Sequence, residues 1–285
     1  MQSLSGKTFF VTGANTGIGK ATAFELARRG GHVVLACRSE DKTRPVMAEI
    51  EAAVPGAKLD FVSLDLGSLD AVERCAKAYL DSGKPIDVLV NNAGLAGSTG
   101  TTKDGHEITI GTNHVGPFLL TELLLPRLRE APEARVVNVA SRAHFRQKAL
   151  DVGMIRRPAS SAAGSFAYYA QSKLMNVLHA KALAEALRGT KVTTYSLHPG
   201  VVASDVWRKV PWPFRGLIKL FMVTNEEGAR TQLRCATDPS LASESGRYYD
   251  AERERTPSQV ALDPRARDEL DAWSRELVKK HLESA

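Results

Sequence analysis

Tyr169 and Lys173 stand four residues apart in Tyr169-Ala170-Gln171-Ser172-Lys173, at the start of a helical segment expected to run to about Arg188. Four residues is one helical turn, so the two side chains share a face. A free phenol titrates near 10 and holds its proton too tightly to act as a base near neutrality, whereas a fixed ammonium one turn away favours phenolate. Bringing a phenol down by about 2 to 3 pH values requires roughly 3 to 4 kcal/mol of differential interaction, within reach of a partly buried cation. A tyrosine tuned in this way can serve as general acid or base. The same spacing also arises by chance in helices, and Tyr168 is an adjacent decoy. Its partner four residues on is Ser172, which brings no charge, so Tyr169 is the better choice.

A second chemical element lies near the start of the chain. Thr12-Gly13-Ala14-Asn15-Thr16-Gly17-Ile18-Gly19-Lys20 closes an apolar strand and opens a helix, whose first N–H groups and positive dipole end suit a pyrophosphate. The spacing is G-x-x-x-G-x-G, different from G-x-G-x-x-G, and a plain strand–helix turn is the alternative. Dinucleotide sites that take NAD place an acidic residue about 20 positions further on, while an arginine there accommodates a 2′-phosphate. Here the next strand ends in Ala36-Cys37-Arg38-Ser39 with no carboxylate, and Lys20 adds a second cation. NADP(H) is therefore expected over NAD(H); two solvated surface cations would be the plainer account.

Two further polar residues complete the set. Val136-Val137-Asn138-Val139-Ala140-Ser141 is a strand ending in a serine, where a substrate oxygen would need a hydrogen-bond donor; an N-cap or turn serine is the alternative. Asn113, in Thr112-Asn113-His114-Val115-Gly116, lies near a helix start, and a buried asparagine that only satisfies backbone is its bland reading.

The elements that must position these residues follow from hydrophobic pattern. Short β-branched runs at Thr8–Thr12, His32–Ala36, Lys58–Leu64, Ile86–Val90, Arg135–Ala140 and Val192–Leu197 predict parallel strands buried on both faces. Between them Gly19–Arg29, Arg44–Ala53, Leu69–Asp81 and Leu119–Glu130 read as crossover helices, with a last helix at about 264–282. The expected fold class is α/β: a Rossmann-like doubly wound parallel sheet between two helical layers, one domain over residues 1–285.

Composition agrees with this and narrows the partners. With 43% hydrophobic and 25% charged residues, the 285-residue chain can bury a core without staples. Cys37, Cys75 and Cys235 match no metal or redox spacing, so no metal is expected. The net charge of +6 is scattered and not gathered in an aromatic-interleaved stripe, which argues against nucleic acid. The opening MQSLSGKTFFVTG leads into a strand with no signal or spanning run, giving a cytoplasmic expectation.

In this order the pieces closely resemble the short-chain dehydrogenase/reductase family over about residues 5–250: the TGxxxGIG loop, Asp65 in Leu64-Asp65-Leu66, Asn91-Asn92-Ala93-Gly94, Asn113, Ser141, Tyr169 with Lys173, then His198-Pro199-Gly200-Val201-Val202. Ala36-Cys37-Arg38 and the His198–Val202 run look like the retinol dehydrogenase branch. The resemblance implies that Tyr169 is the acid/base, Lys173 lowers its pKa and holds the nicotinamide ribose, Ser141 orients the substrate oxygen and Asn113 positions a proton-relay water. It also implies a cofactor path along Gly13, Asn15, Thr16, Gly17, Ile18, Gly19, Lys20, Arg38, Asp65, Leu66, Asn92, Ala93, Gly94, Pro199, Gly200, Val202 and Ser204. Asp65 would meet the adenine amine, while Asn91 reads as a sheet-holding residue.

The implied reaction interconverts a lipophilic alcohol and its ketone or aldehyde; alternatives are a C=C reductase of a large conjugated ligand and a non-catalytic NADP(H)-binding protein. Membrane-bound retinoid enzymes of this branch carry an N-terminal anchor and this chain starts at the fold, which leaves the substrate as a lipophilic alcohol or carbonyl of no stated type. The Trp- and Phe-rich segment at about 205–224 is expected to cover that substrate, with peripheral membrane contact through 206–223 as the competing reading. Self-pairing through helices such as Leu119–Glu130 and Tyr169–Arg188, as a homodimer or homotetramer, is also implied.

Overall fold

The structure, a computed structural model, describes residues 3–200 and 224–284. Each β-branched run forms a strand: β1 Thr8–Thr12, β2 His32–Cys37, β3 Lys58–Ser63, β4 Val88–Asn91, β5 Ala134–Val139 and β6 Val192–His198. Two more follow, β7 Arg247–Asp250 and β8 Arg253–Glu254. The sheet order is β3-β2-β1-β4-β5-β6-β7-β8, parallel except where β8 turns back on β7. The order reverses between β1 and β4, so the carboxyl ends of β1, β4 and β5 open on one crevice, the ligand site of doubly wound sheets.

The helices are α1 Gly17–Arg28, α2 Glu40–Ala53, α3 Leu69–Asp81, the single turn α4 Ile108–Ile110, α5 Gly116–Glu130, α6 Ser165–Ala186, α7 Asn225–Thr237, the single turn α8 Gln259–Leu262 and α9 Pro264–Glu283. They cover both faces of the sheet with two separate apolar clusters. Phe10, Leu89, Phe118, Leu119 and Leu174 belong to one, while Phe9, Val11, Leu26, Val33 and Tyr195 belong to the other. Period-2 alternation explains the division, since Phe9 and Phe10 are neighbours on β1 yet point to opposite layers. Burying a side chain of this size stabilises by about 1.5–3 kcal/mol.

α6 begins at Ser165, four residues before the expected start, so Tyr169 sits in its second turn and not at its opening. From Ala170 through Ala180 every residue of α6 is buried, which makes it a rigid mount. Between α4 and α5 lies a π turn, Gly111–Val115, that carries Asn113.

α9 lies across α5, α6 and α3 and is fixed by polar contacts as well as packing. Arg275 makes a two-pronged bond to Glu122 on α5 (2.8 and 3.1 Å), His114 Nε2 meets Ser274 Oγ at 2.9 Å, and Trp273 stacks on the His114 ring. His281 meets Glu73 of α3 at 2.7 Å. The outer faces of α5 and α6, expected to pair with a second copy, are thus covered by the chain's own C-terminal helix. Cys37, Cys75 and Cys235 are buried and unbridged. Among the described residues, no helix is long and apolar enough to cross a membrane.

Candidate active site

The loop after β1 is shaped by its glycines. Gly13 and Gly17 take positive φ, +65° and +55°, which L side chains rarely adopt. Gly19 is required for another reason: a β-carbon there would run into Gly13 O and lie 2.5 Å from Asn92 Nδ2. Asn92 in turn ties the end of β4 to this loop, its Nδ2 donating to Thr12 O at 2.8 Å. Thr12 Oγ1 accepts from the N–H groups of Asn92 (3.0 Å) and Ala93 (2.9 Å), so the two strand ends move as one.

α1 is left ready for an anion. No side-chain hydrogen bond caps it at Thr16 and its first turn holds no acidic residue, as is also true of α5, α6 and α8, whereas Ser39, Ser68, Thr224 and Asp263 cap α2, α3, α7 and α9. Asn15, Thr16, Gly17, Ile18 and Lys20 line this turn and are at least partly exposed. The residues therefore fit a dinucleotide pyrophosphate.

At the end of β2, Arg38 is exposed and, among the described residues, makes no ion pair. Lys20 is already engaged, its Nζ 2.6 Å from Glu49 Oε2 on α2. Of the two expected cations, Arg38 is the one available to a 2′-phosphate. Asp65 accepts from Gly67 N at 3.2 Å and pairs with Lys103 at 3.1 Å, while the neighbouring Leu66 is buried. Asn91 holds the sheet as expected, donating to Thr121 Oγ1 and Asn138 Oδ1 at 3.0 and 2.9 Å.

Ser141, Tyr169, Lys173 and Asn113 converge at the carboxyl ends of β4 and β5. The Ser141 side chain neighbours the Tyr169 phenol and favours its ionised form. Ser141 Oγ accepts from Ala143 N at 3.2 Å, which leaves its single proton for another acceptor. The turn-capping role, the alternative for Ser141, is present. Tyr168 points elsewhere, donating to Arg157 O at 2.5 Å.

Lys173 is 4% exposed and donates from Nζ to Val139 O at 2.8 Å. Burial brings its ammonium down to about 8. The expected electrostatics of the pair differ in one respect. Nζ lies over the Tyr169 ring, 5.6 Å from its centroid, and the tyrosine is shifted upward from 10. Burial drives that rise and the Ser141 hydroxyl opposes it. Nζ donates to the β5 carbonyl and makes no hydrogen bond to the phenol, and burial sets the direction of the tyrosine shift.

Asn113 is 1% exposed and fully engaged. Its Oδ1 accepts from Leu95 N at 2.8 Å, and its Nδ2 donates to Leu95 O at 2.9 Å and to Ser172 Oγ at 3.0 Å. The side chain thus satisfies backbone and fixes the Asn92–Leu95 loop. Gly94 keeps a niche open beside it, since a β-carbon there would sit 3.2 Å from Asn113 Oδ1 and 3.5 Å from Lys173 Nζ. Pro199 and Gly200 follow β6 at the same sheet edge. Val202, Ser204 and the segment 206–223 lie outside the described residues.

Residues 7–153 match the family model for short chain dehydrogenase. The chain belongs to the short-chain dehydrogenases. This dehydrogenase is 42% identical over 284 residues to dehydrogenase/reductase SDR family member 13 of Bos taurus, covering 98% of this chain and 74% of that protein. It is 41% identical over 250 residues to retinol dehydrogenase 11 of Mus musculus, covering 86% and 78%. These relatives put it in the retinol dehydrogenase-like branch. Among solved structures, a Mycobacterium paratuberculosis protein matches with a TM-score of 0.77 at 31% identity, over 98% of this chain and 96% of that one. A 3-ketoacyl-(acyl-carrier-protein) reductase of Brucella melitensis complexed with NADH matches at 0.67 and 24% identity, over 91% and 100%, a likeness of fold.

Sequence reasoning missed three features of the site. Ser172, weighed only as a partner for Tyr168, supports Asn113. Asp250 at the end of β7 takes both prongs of Arg142 and a bond from Arg255. His144 sits buried behind Ser141. A four-residue strand gives little periodic signal, and the bonds from Arg142 to Asp250 span 108 residues of sequence.

Proposed function

We propose that this short-chain dehydrogenase interconverts a lipophilic alcohol and its ketone or aldehyde with NADP(H). The observation that carries the reading is the convergence of Ser141, Tyr169 and Lys173 beside the Gly94 niche at the switch point of the sheet. In reduction, the Tyr169 hydroxyl gives its proton to the carbonyl oxygen while Ser141 donates a hydrogen bond to the same oxygen. In oxidation both steps reverse, and Tyr169 accepts the alcohol proton. The nicotinamide supplies or takes up the hydride and, when oxidised, brings a positive charge that offsets the upward pull of burial on the phenol. Lys173 would hold the nicotinamide ribose with the donors that Val139 O leaves over. Asn113 holds the Asn92–Leu95 loop, which would flank that ribose.

Arg38 supports NADP(H), because a guanidinium at the end of β2 suits a 2′-phosphate and no carboxylate is there to take a 2′-hydroxyl. Relatives named as retinol dehydrogenases support a lipophilic substrate. The test is a panel of aldehydes, ketones and alcohols followed by nicotinamide absorbance, run with NADPH and repeated with NADH. Turnover of lipophilic members with NADPH is expected. Tight NADPH binding with no turnover across the panel would reject the enzyme reading.

A further inference from the structure

The short 3-10 turn Arg142–Arg146 follows Ser141 directly and is clamped to the segment after β7. Arg142 holds Asp250 at 2.7 and 2.9 Å, and the Arg255 guanidinium lies 4.8 Å over the Phe145 ring. One clamp reaches Ser141 itself. His144 is fully buried, its Nδ1 2.6 Å from Ser141 O, while Ser258 N lies 3.2 Å from its Nε2.

The partners fix the ring's tautomer. Ser258 N–H can only donate, so Nε2 is an acceptor and the proton of the neutral imidazole sits on Nδ1, donating to Ser141 O. Burial and the nearby Arg255 keep the ring neutral, pushing its pKa below the ordinary value against the opposing effects of the Ser141 carbonyl and Asp250. A second proton would put N–H against N–H at Ser258. Tyr248 packs edge-on against the ring at 4.9 Å and leaves it little freedom to turn.

We propose that His144 is a positioning residue for the reaction, a strut between the Ser141 carbonyl and the Ser258 backbone that sets where the Ser141 hydroxyl points. The inference rests on Ser141 being the donor to the substrate oxygen, as proposed above. A serine at a strand end needs its backbone fixed if its hydroxyl is to meet a developing charge, and small displacements there are costly.

Two substitutions separate the halves of the strut. In His144→Asn the amide nitrogen replaces Nδ1 and keeps the bond to Ser141 O while losing Ser258. In His144→Gln the longer side chain reaches Ser258 and loses the bond to Ser141. The expected result is a fall in kcat of about tenfold in His144→Gln, with NADPH affinity unchanged, and a value within about threefold of the parent in His144→Asn. Equal kcat in the two variants, whether both retained or both reduced, overturns the proposal. Ser141→Ala is measured alongside: if it keeps full kcat, the reading of Ser141 falls and takes the strut with it, whereas loss in Ser141→Ala without loss in His144→Gln rejects the strut alone. A measurement on the parent protein needs no variant to fold. Long-range 15N–1H spectra near pH 7 should show His144 neutral with its proton on Nδ1, and an Nε2–H tautomer overturns the proposal.

Discussion

The Lys173 ammonium lies over the Tyr169 ring, 5.6 Å from its centroid, and donates to Val139 O at 2.8 Å instead of hydrogen-bonding to the phenol. The bare chain therefore holds two reluctant groups side by side: a phenol shifted upward and an ammonium lowered to about 8, both by burial. A bound oxidised nicotinamide would supply a positive charge that favours the ionised phenol, and Lys173 would hold its ribose hydroxyls.

Lys173→Met should abolish turnover and yet raise stability. Lys173 has a folded pKa of about 8 against about 10.4 unfolded. The folded chain therefore bears the cost of a buried charge fully below pH 8, and the cost fades as pH rises from 8 towards 10.4. Loss of the bond to Val139 O offsets part of the gain. An increase of about 1–3 kcal/mol is expected at pH 7, shrinking above pH 8, and thermal unfolding at pH 7 and pH 9.5 checks both statements.

Arg38→Ala should raise KM for NADPH by at least about tenfold, the loss of a charge-assisted phosphate contact, and leave KM for NADH little changed. Lys20→Ala should cost less, since Lys20 is already paired with Glu49 at 2.6 Å. Initial-rate kinetics with both cofactors decide this.

Asn113→Ala strips Leu95 of partners for its N–H and C=O at once, bonds of 2.8 and 2.9 Å in the parent. A stability loss of roughly 2–3 kcal/mol is expected, with weaker NADPH binding because the Asn92–Leu95 loop is released. Denaturant unfolding and a binding titration measure the two effects.

A monomer of 30.9 kDa is expected from light scattering, because α9 occupies the faces of α5 and α6 that would otherwise pair. The Arg275–Glu122 bond and the Trp273–His114 stack would have to break before a second copy could dock there. A mass of twice that value would show pairing by another surface or a displaced α9.

The parts of the fold that announce themselves in sequence are those with local causes. Thr8–Thr12 matches its predicted strand residue for residue, because an apolar run between polar turns is a local pattern. α9 begins at Pro264 behind an Asp263 cap, again a local signal. β7 escapes because Arg247–Asp250 is four residues long and is defined by its partner, β6. At the site, chemistry picked out Ser141, Tyr169 and Lys173, but geometry decides what they do. Asn113 satisfies backbone, Lys173 faces a ring, and His144 braces Ser141 through a contact that no spacing rule contains.

The most direct measurement is the steady-state kcat of Tyr169→Phe with its NADPH dissociation constant determined in parallel. The ring, and with it the seat of Lys173, is retained, while the transferable proton is removed. The expected result is a fall in kcat of at least about 100-fold with NADPH affinity within about threefold of the parent. A kcat within about tenfold of the parent would contradict the assignment of Tyr169 as the group that exchanges a proton with the substrate oxygen.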